Sequence, residues 1–328
     1  MPDKTIPLVS CITTTYKKFE YIYETLASVL KQDYPNIEII IGDDGSPDFP
    51  EEDIRQYIEK NKGSNITNVI IHHEYSNHGT VYNCALCREL ASGEFIMGIA
   101  SDDQFYDSQV VSDVVKYFED TGADVVTCIR QLVDTESRKE LAVLPSRKQQ
   151  NWLRTLSPEE IYEKMVSFPF ISGSSTYYRK EFYQRMGKYD TSYKYIEDVP
   201  FYMKILRNGE KVYFFPRKTI KYQFGGGIST TPNRQNPVRK MMYKDRIHYM
   251  EQEVLPYADD MSWWRKEHIK VRTKRFLMEA RGNTFSIFEL YRKLFCYSPV
   301  GTAVQIYYQI SYRKSLKLYK NKKWRDKI

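Results

Sequence analysis

The chain has 328 residues, 41% of them apolar, with 28 Tyr and a formal charge of +7, a length that suits two domains, or one with a long extension, around a proper core. The charge is uneven: residues 265–328 carry +13 and the remainder −6, so a neutral-to-acidic body bears a basic, aromatic tail of the kind that seeks anionic lipid, nucleic acid or an acidic partner. Five scattered cysteines, Cys11, Cys84, Cys87, Cys128 and Cys296, exclude a disulfide framework, and Cys84-x-x-Cys87 has no second pair to complete a zinc site, so both are read as buried helix residues in a reducing compartment.

Met1 to Thr5 is short and polar, which predicts no secretory leader. Leu8 to Ile12 reads as a buried strand, followed by Thr13-Thr14-Thr15-Tyr16 and a helical pattern from Phe19 through Tyr23, Leu26, Val29 and Leu30 that stops at Asp33-Tyr34-Pro35. Ile37 to Gly42 is a second strand, ending in Asp43 and Asp44 before the turn residues Gly45-Ser46-Pro47. A helix over Glu51 to Lys60, a strand over Val69 to His73, the loop Ser76-Asn77-His78-Gly79 and a helix over Thr80 to Ala91 come next. Phe95 to Ala100 then forms a strand that closes on Asp102 and Asp103. Alternating strands and helices predict a parallel sheet wound by right-handed crossovers.

Two strands of this sheet end in paired acids, where open α/β sheets bind ligands. Like charges there call for a donor or a cation between them, and a divalent metal shared with a phosphate is the simplest choice. The competing reading has Asp102 cap the helix beginning near Ser108, or close a turn with Asp103. No Gly-x-Gly-x-x-Gly follows the first strand and no Gly-x-x-x-x-Gly-Lys occurs, so dinucleotide and Walker-type phosphate loops are unsupported.

Ser108 to Asp120 predicts a helix and Val125 to Ile129 a strand, after which Arg130 to Lys148 reads as polar connection. Ser157 with Glu160 forms a capping-box signature, and Ile171 to Tyr178, entered through Ser172-Gly173-Ser174, reads as a strand. Glu197 and Asp198 stand at the entrance of a helix continuing from Pro200, where the backbone dipole explains one acid better than two. Val212 to Phe215 and Thr219 to Phe224 predict a closing strand pair, and Gly225-Gly226-Gly227 a mobile loop that could act as a lid. The chain is helical and basic from Pro237. Leu294 to Tyr312 lacks charge, but the helix start at Ser298-Pro299 leaves about fourteen residues in one helix, too short to span a bilayer. That helix is expected either on a membrane surface or packed through Val300, Ala303, Val304, Tyr307 and Ile310 on the body or on another subunit.

In order and spacing, Val9 to Tyr16, Ser28 to Ile39, Asp43-Asp44-Gly45-Ser46, Asn77-His78-Gly79, Ser101-Asp102-Asp103 and Glu197-Asp198 together resemble the GT-A fold glycosyltransferases of family 2. The resemblance covers residues 8–229. It implies an α/β, Rossmann-like, doubly wound and mostly parallel sheet over 1–230, with a helical extension over 231–328, and inverting transfer from a UDP-sugar. It further implies that Thr14 and Tyr16 contact the nucleotide, with the Tyr ring against the base, that Asp44 takes the base edge, and that Asn77 and Asp102 complete the nucleotide-sugar site, Asp102 at the ribose. Asp103 would hold Mg²⁺ or Mn²⁺ at the diphosphate, Asp198 would be the general base, and Glu197 with Gly173 would orient the acceptor side. Two departures stand out: Ala100 replaces a further acid that many relatives carry, and Gln223 to Ser229 lacks the His that many carry.

The implied acceptor is a glycan, lipid-linked as in bacterial surface polymers, with the enzyme in the cytoplasm at an anionic membrane surface and a homo-oligomer among its possible assemblies. Nucleic acid is not expected, since no reader fold accompanies the charge. Two other readings compete. A nucleotidyltransferase needs a Gly-rich basic loop after the first strand, and Thr13 to Lys18 has no glycine. A non-catalytic sugar-nucleotide-binding scaffold would keep the fold without turnover.

Overall fold

The computed structural model describes residues 5–225, 237–281 and 285–315. The first half alternates as expected: β1 (Val9–Thr15), α1 (Ile22–Leu30), β2 (Ile37–Asp43), α2 (Glu51–Asn61), β3 (Ile66–His73), α3 (Thr80–Leu90) and β4 (Phe95–Ala100). β2 is buried along its whole length, which is why its sequence is a near-continuous apolar run: parallel strands are covered on both faces. Its one charged interior residue, Glu38, is fully buried and accepts from Ser10 Oγ (2.5 Å), Ser92 N (2.5 Å) and Gly93 N (2.9 Å). This satisfies a carboxylate that would otherwise be costly to bury.

The second half carries β5 (Gln104–Phe105), α4 (Val110–Thr121), β6 (Val125–Asp134), β7 (Glu140–Leu144), α5 (Arg147–Thr155), α6 (Pro158–Ser167), β8 (Thr176–Arg179), α7 (Lys180–Arg185), α8 (Asp198–Arg207) and β9 (Tyr213–Phe224). Three expectations change here. The stretch after Arg130 is sheet, because Gln131 bonds the Ala142 carbonyl and Asp134 closes the β6–β7 turn on Ser137. The predicted closing pair is one strand, β9, whose register slips against β6 around Pro216; proline has no N–H for the ladder and is tolerated at such a bulge. Of the expected strand only Thr176 to Tyr178 joins the sheet, in β8, and Gly173–Ser175 forms a 3₁₀ turn before it. The capping box of Ser157 and Glu160 at the start of α6 is present as expected.

The strand order is β3-β2-β1-β4-β8-β6-β9-β5, with β7 also paired to β6. β3, β2, β1 and β4 are parallel, β8 runs antiparallel between β4 and β6, and β9 returns parallel to β6. One face packs α1, α2 and α4 through residues such as Leu26, Ile54 and Val114; the other packs α3, α6 and α8 through Val81, Met165 and Ile205. Each fully buried aliphatic side chain of this kind contributes about 1.5–3 kcal/mol.

Four more helices follow: α9 (Pro237–Tyr249), α10 (Trp263–Ala280), α11 (Ile287–Tyr297) and α12 (Pro299–Ser315). Tyr243, Tyr249, Ile269 and Phe276 join the same core as α6 and α8. α12 does not pack on the body through the apolar face considered for it. Gly301 abuts the Glu267 backbone of α10, where a Cβ would collide, and His268 Nε2 meets Gln305 Oε1 at 3.0 Å. The small and polar side of α12 is therefore inward, and Val300, Ala303, Tyr307 and Ile310 are exposed. Among the described residues no helix is long and apolar enough to cross a membrane. Gly226 to Ser229 of the expected lid, and Lys317 and Lys320 of the basic tail, lie outside the described residues.

Candidate functional site

The carboxyl ends of β1, β2 and β4 carry Thr14, Tyr16, Asp44, Asp102 and Asp103. Thr14 is the next-to-last residue of β1, and Tyr16, 38% exposed, follows the strand with Lys17 Nζ 5.0 Å from its ring centre. Lys17 N donates to Ser46 Oγ (2.8 Å), which itself donates to Asp43 Oδ1 (2.6 Å), tying the loops after β1 and β2 together. Asp43 also meets His73 Nδ1 at 2.9 Å and is fully buried, so it is a structural clasp.

Asp44 is 2% exposed. Its Oδ1 accepts from His78 N (2.8 Å), and its Oδ2 from Asn77 Nδ2 (2.7 Å) and Gly79 N (2.8 Å). Gly79 has φ +107°, a conformation that glycine adopts without strain. The acid expected at a base edge thus spends three of its roughly four lone-pair sites on the 77–79 loop, and Asn77 serves that same clasp.

Asp102 is half-buried and not a helix cap, since Gln109 occupies the N-cap position of α4. Burial raises its carboxyl above the usual range against the pull of Lys18. Asp103 is 1% exposed; Oδ1 accepts from Gln223 N at 2.9 Å and Oδ2 has no partner. Burial, and then Asp102, push this carboxyl well above the usual range, against the Gln223 N–H and Arg130. The side-chain Oε1 of Gln223 is likewise buried without a partner. Two orphaned oxygens from one acid and one amide fit a hard, oxygen-seeking divalent cation. No three His, Cys, Asp or Glu side chains among the described residues form a closed metal cage.

Glu197 and Asp198 stand together at the start of α8. Asp198 Oδ2 accepts from Gly173 N (2.9 Å) and Oδ1 from Val199 N (2.7 Å). Space beside Gly173 is tight: a Cβ there would lie 3.2 Å from Asp198 Cβ. Burial raises both carboxyls, but Asp198 has two backbone N–H bonds and Arg130 opposing the rise, whereas Glu197 has Asp198 beside it and is pushed up to about 7. When one environment favours the anion and its neighbour's does not, the proton of the pair resides on the second. The two backbone N–H bonds favour the anion at Asp198.

Sequence reasoning missed Arg130 and Gln223. Arg130 projects from β6, donates to Ser172 Oγ (2.7 Å) and Ser174 Oγ (3.3 Å), stacks 4.9 Å from Tyr222, and favours the ionised form of both Asp103 and Asp198. It is the cation that faces both acids. Its signal was hidden by reading the strand as ending at Ile129, whereas β6 runs on to Asp134. Gln223 occupies the segment searched only for a His.

The raised Glu197 carboxyl has a consequence for stability. Its folded form holds a proton more tightly than the unfolded chain does, so the stabilisation is full at acidic pH and is lost as pH rises through about 7. Glu197→Gln cannot ionise and is expected to be more stable than the parent at about pH 8, with the gap closing at about pH 5. Urea unfolding at both pH values checks this; an equal difference at the two would contradict it.

Comparison with known proteins bears on this geometry. The family model "Glycosyl transferase family 2" matches residues 10–187. An uncharacterized glycosyltransferase of Haemophilus influenzae is 25% identical over 248 residues, spanning 74% of each chain. The UDP-Glc:alpha-D-GlcNAc-diphosphoundecaprenol beta-1,3-glucosyltransferase WfaP of Escherichia coli is 37% identical over 108 residues, covering 33% of this chain and 40% of that one. Among solved structures, Staphylococcus aureus TarS 1–349 in complex with UDP-GlcNAc superposes with TM-score 0.54 at 19% identity, over 87% of this chain and 78% of that one. The mannosyltransferase PcManGT from Pyrobaculum calidifontis, in complex with GDP-Man and Mn²⁺, gives 0.58 at 17% identity, over 92% and 86%.

Proposed function

The chain belongs to glycosyl transferase family 2, and from that membership we propose that it is an inverting transferase moving a sugar from a UDP-sugar to a hydroxyl of a lipid-linked glycan in surface-polymer synthesis. The observation that carries the reading is the division of labour among the acids: Asp103 is buried with one oxygen unpartnered, while Asp198 accepts from two backbone N–H groups that favour its anion, and Arg130 favours the ionised form of both. Thr14 and Tyr16 flank the nucleotide, the exposed Tyr16 ring offering a stacking surface for the base. Asp44 holds the 77–79 loop beneath it and has one lone-pair site left for an imide N–H. Asp102, half-buried at the end of β4, takes the ribose hydroxyls.

Asp103 Oδ2 and Gln223 Oε1 would hold Mg²⁺ or Mn²⁺, which when bound offsets charge developing on the departing diphosphate. Asp198 removes the proton from the acceptor hydroxyl as that oxygen attacks the anomeric carbon opposite the leaving group. Glu197, carrying its proton, can donate a hydrogen bond to the acceptor, and Gly173 keeps the approach open. Arg130 keeps Asp198 ionised and adds positive charge near the diphosphate.

The lipid-linked acceptor is supported by the name of the Escherichia coli relative and by exposed apolar residues of α11 and α12, among them Phe288, Phe295, Tyr307 and Ile310, next to a C-terminal segment rich in Lys and Arg. Five free cysteines support a reducing compartment, the cytoplasm. A panel of UDP-sugars tests the donor side: at least one is expected to be hydrolysed or transferred with Mn²⁺ present and to stop with EDTA. Asp103→Asn is expected to lose both this activity and Mn²⁺ binding followed by electron paramagnetic resonance. Full Mn²⁺ affinity in the variant would remove Asp103 from the metal site.

A further inference from the structure

The seam between α9 and α10 gathers arginines that lack a counter-ion. The guanidinium carbon of Arg246 lies 5.0 Å from the Tyr243 ring centre and 5.8 Å from that of Phe276. Arg272 lies 5.4 Å from the same Phe276 ring and 5.7 Å from Tyr249. Arg275, beside Phe276 in the chain, has a buried Nε with no hydrogen-bond partner. Arg272 donates one N–H to the Val166 carbonyl, a neutral acceptor. No carboxylate among the described residues reaches ion-pair distance of Arg246, Arg272 or Arg275, and the acids nearby are committed elsewhere: Asp245 to the N–H groups of Lys194 and Tyr195, Glu253 to Arg207, and Glu163 to Arg265. Burial, with Arg272, Arg275 and Arg239 as like-charged neighbours, pushes Arg246 below its ordinary range, and Arg272 moves the same way.

Arg272 is buried and Arg246 and Arg275 are half-buried, and like charges gathered in a partly desolvated seam without a carboxylate favour a counter-charge. Three positive charges call for a multiply charged anion, and planar N–H forks match the oxygens of a phosphate better than those of a halide. We propose that the α9–α10 seam binds a phosphate-type anion through Arg246, Arg272 and Arg275. The site is distinct from the acids that end β2 and β4. It is mechanically joined to the Glu197–Asp198 entrance, because the neighbouring Asp245 pins residues Lys194 and Tyr195 of the incoming loop to α9. Occupancy requires no turnover, so its test is independent of the transfer reaction.

Thermal unfolding of the full chain in chloride, phosphate or pyrophosphate at matched ionic strength tests it. The parent is expected to gain several degrees in phosphate or pyrophosphate over chloride. Arg246→Met and Arg275→Met are each expected to abolish that gain and, in chloride, to be at least as stable as the parent, because one of several like charges is gone. A purely structural arginine predicts the opposite sign in chloride. Arg275→Lys keeps the charge without the fork and is expected to give a weakened gain, which serves if the Met variants do not fold. Sedimentation with phosphatidylcholine vesicles, with and without phosphatidylglycerol, identifies the source: binding that depends on both phosphatidylglycerol and Arg275 assigns the anion to a lipid headgroup, and a phosphate gain without it assigns a free phosphate or diphosphate. No phosphate-specific gain in the parent together with no Arg275-dependent vesicle binding overturns the site, as does a gain that survives in the double Met variant.

Discussion

Asp198→Asn is expected to lower the turnover of sugar transfer by about 10²–10⁴-fold, the range that a positioned general base supplies, while leaving the affinity for UDP near that of the parent. The substitution keeps size and shape at the start of α8, so Gly173 N and Val199 N still approach an oxygen on one side. What disappears is the anion. Asn has no basic oxygen to accept the acceptor's proton, and one of its two branches becomes a donor facing a backbone N–H that previously donated to it. Single-turnover transfer with a saturating donor, alongside calorimetric titration with UDP, separates the two effects. Unchanged single-turnover rates would dismiss Asp198 as the base, whatever happened to binding.

Arg130→Met is expected to cost about 10²–10³-fold in kcat/KM, comparable to removing one preorganised charge-stabilising donor, and to move the acidic limb of the pH profile. The sign follows from its surroundings. Arg130 favours the ionised form of Asp198 and of Asp103, so without it both carboxyls rise further, and the base becomes ionised only at higher pH. The rising limb of kcat should therefore shift to more alkaline pH. Arg130→Lys keeps the charge and one bond toward Ser172 or Ser174, and is expected to restore the limb more than the rate, since the guanidinium fork is lost. A pH profile unmoved in Arg130→Met would show that the arginine acts only by packing on Tyr222.

The acids are legible in the amino-acid sequence because their chemistry is written locally: an apolar run that ends in two carboxylates marks the carboxyl edge of a buried strand, and β2 and β4 both do so. Glu197 and Asp198 are legible for a similar reason, at a helix entrance where capping explains only one of them. Arg130 and Gln223 are not. Each acquires its place from a pairing between distant parts of the chain: Arg130 opposite Ile220 on β9, and Gln223 with its N–H on Asp103. A single strand broken by Pro216 looks like two short ones when the slip in register that absorbs the proline is not visible. α12 is legible only in part. Its apolar side is expected at a membrane surface, on the body or on another subunit, and the approach of Gly301 to the Glu267 backbone, which turns the polar side inward, removes only the body from that choice.

Under the function proposed for Asp44, the bonds from the loop after β3 to its carboxylate would set how quickly a donor is captured. Because Asn77, His78 and Gly79 are already fastened by an anion sealed beneath them, the conformational entropy of ordering that loop is met while the chain folds and is absent from each encounter. Donor association at this wall of the cleft should then resemble diffusion into a rigid mould, with an observed rate that climbs linearly with donor concentration and no slow isomerisation phase in stopped-flow traces.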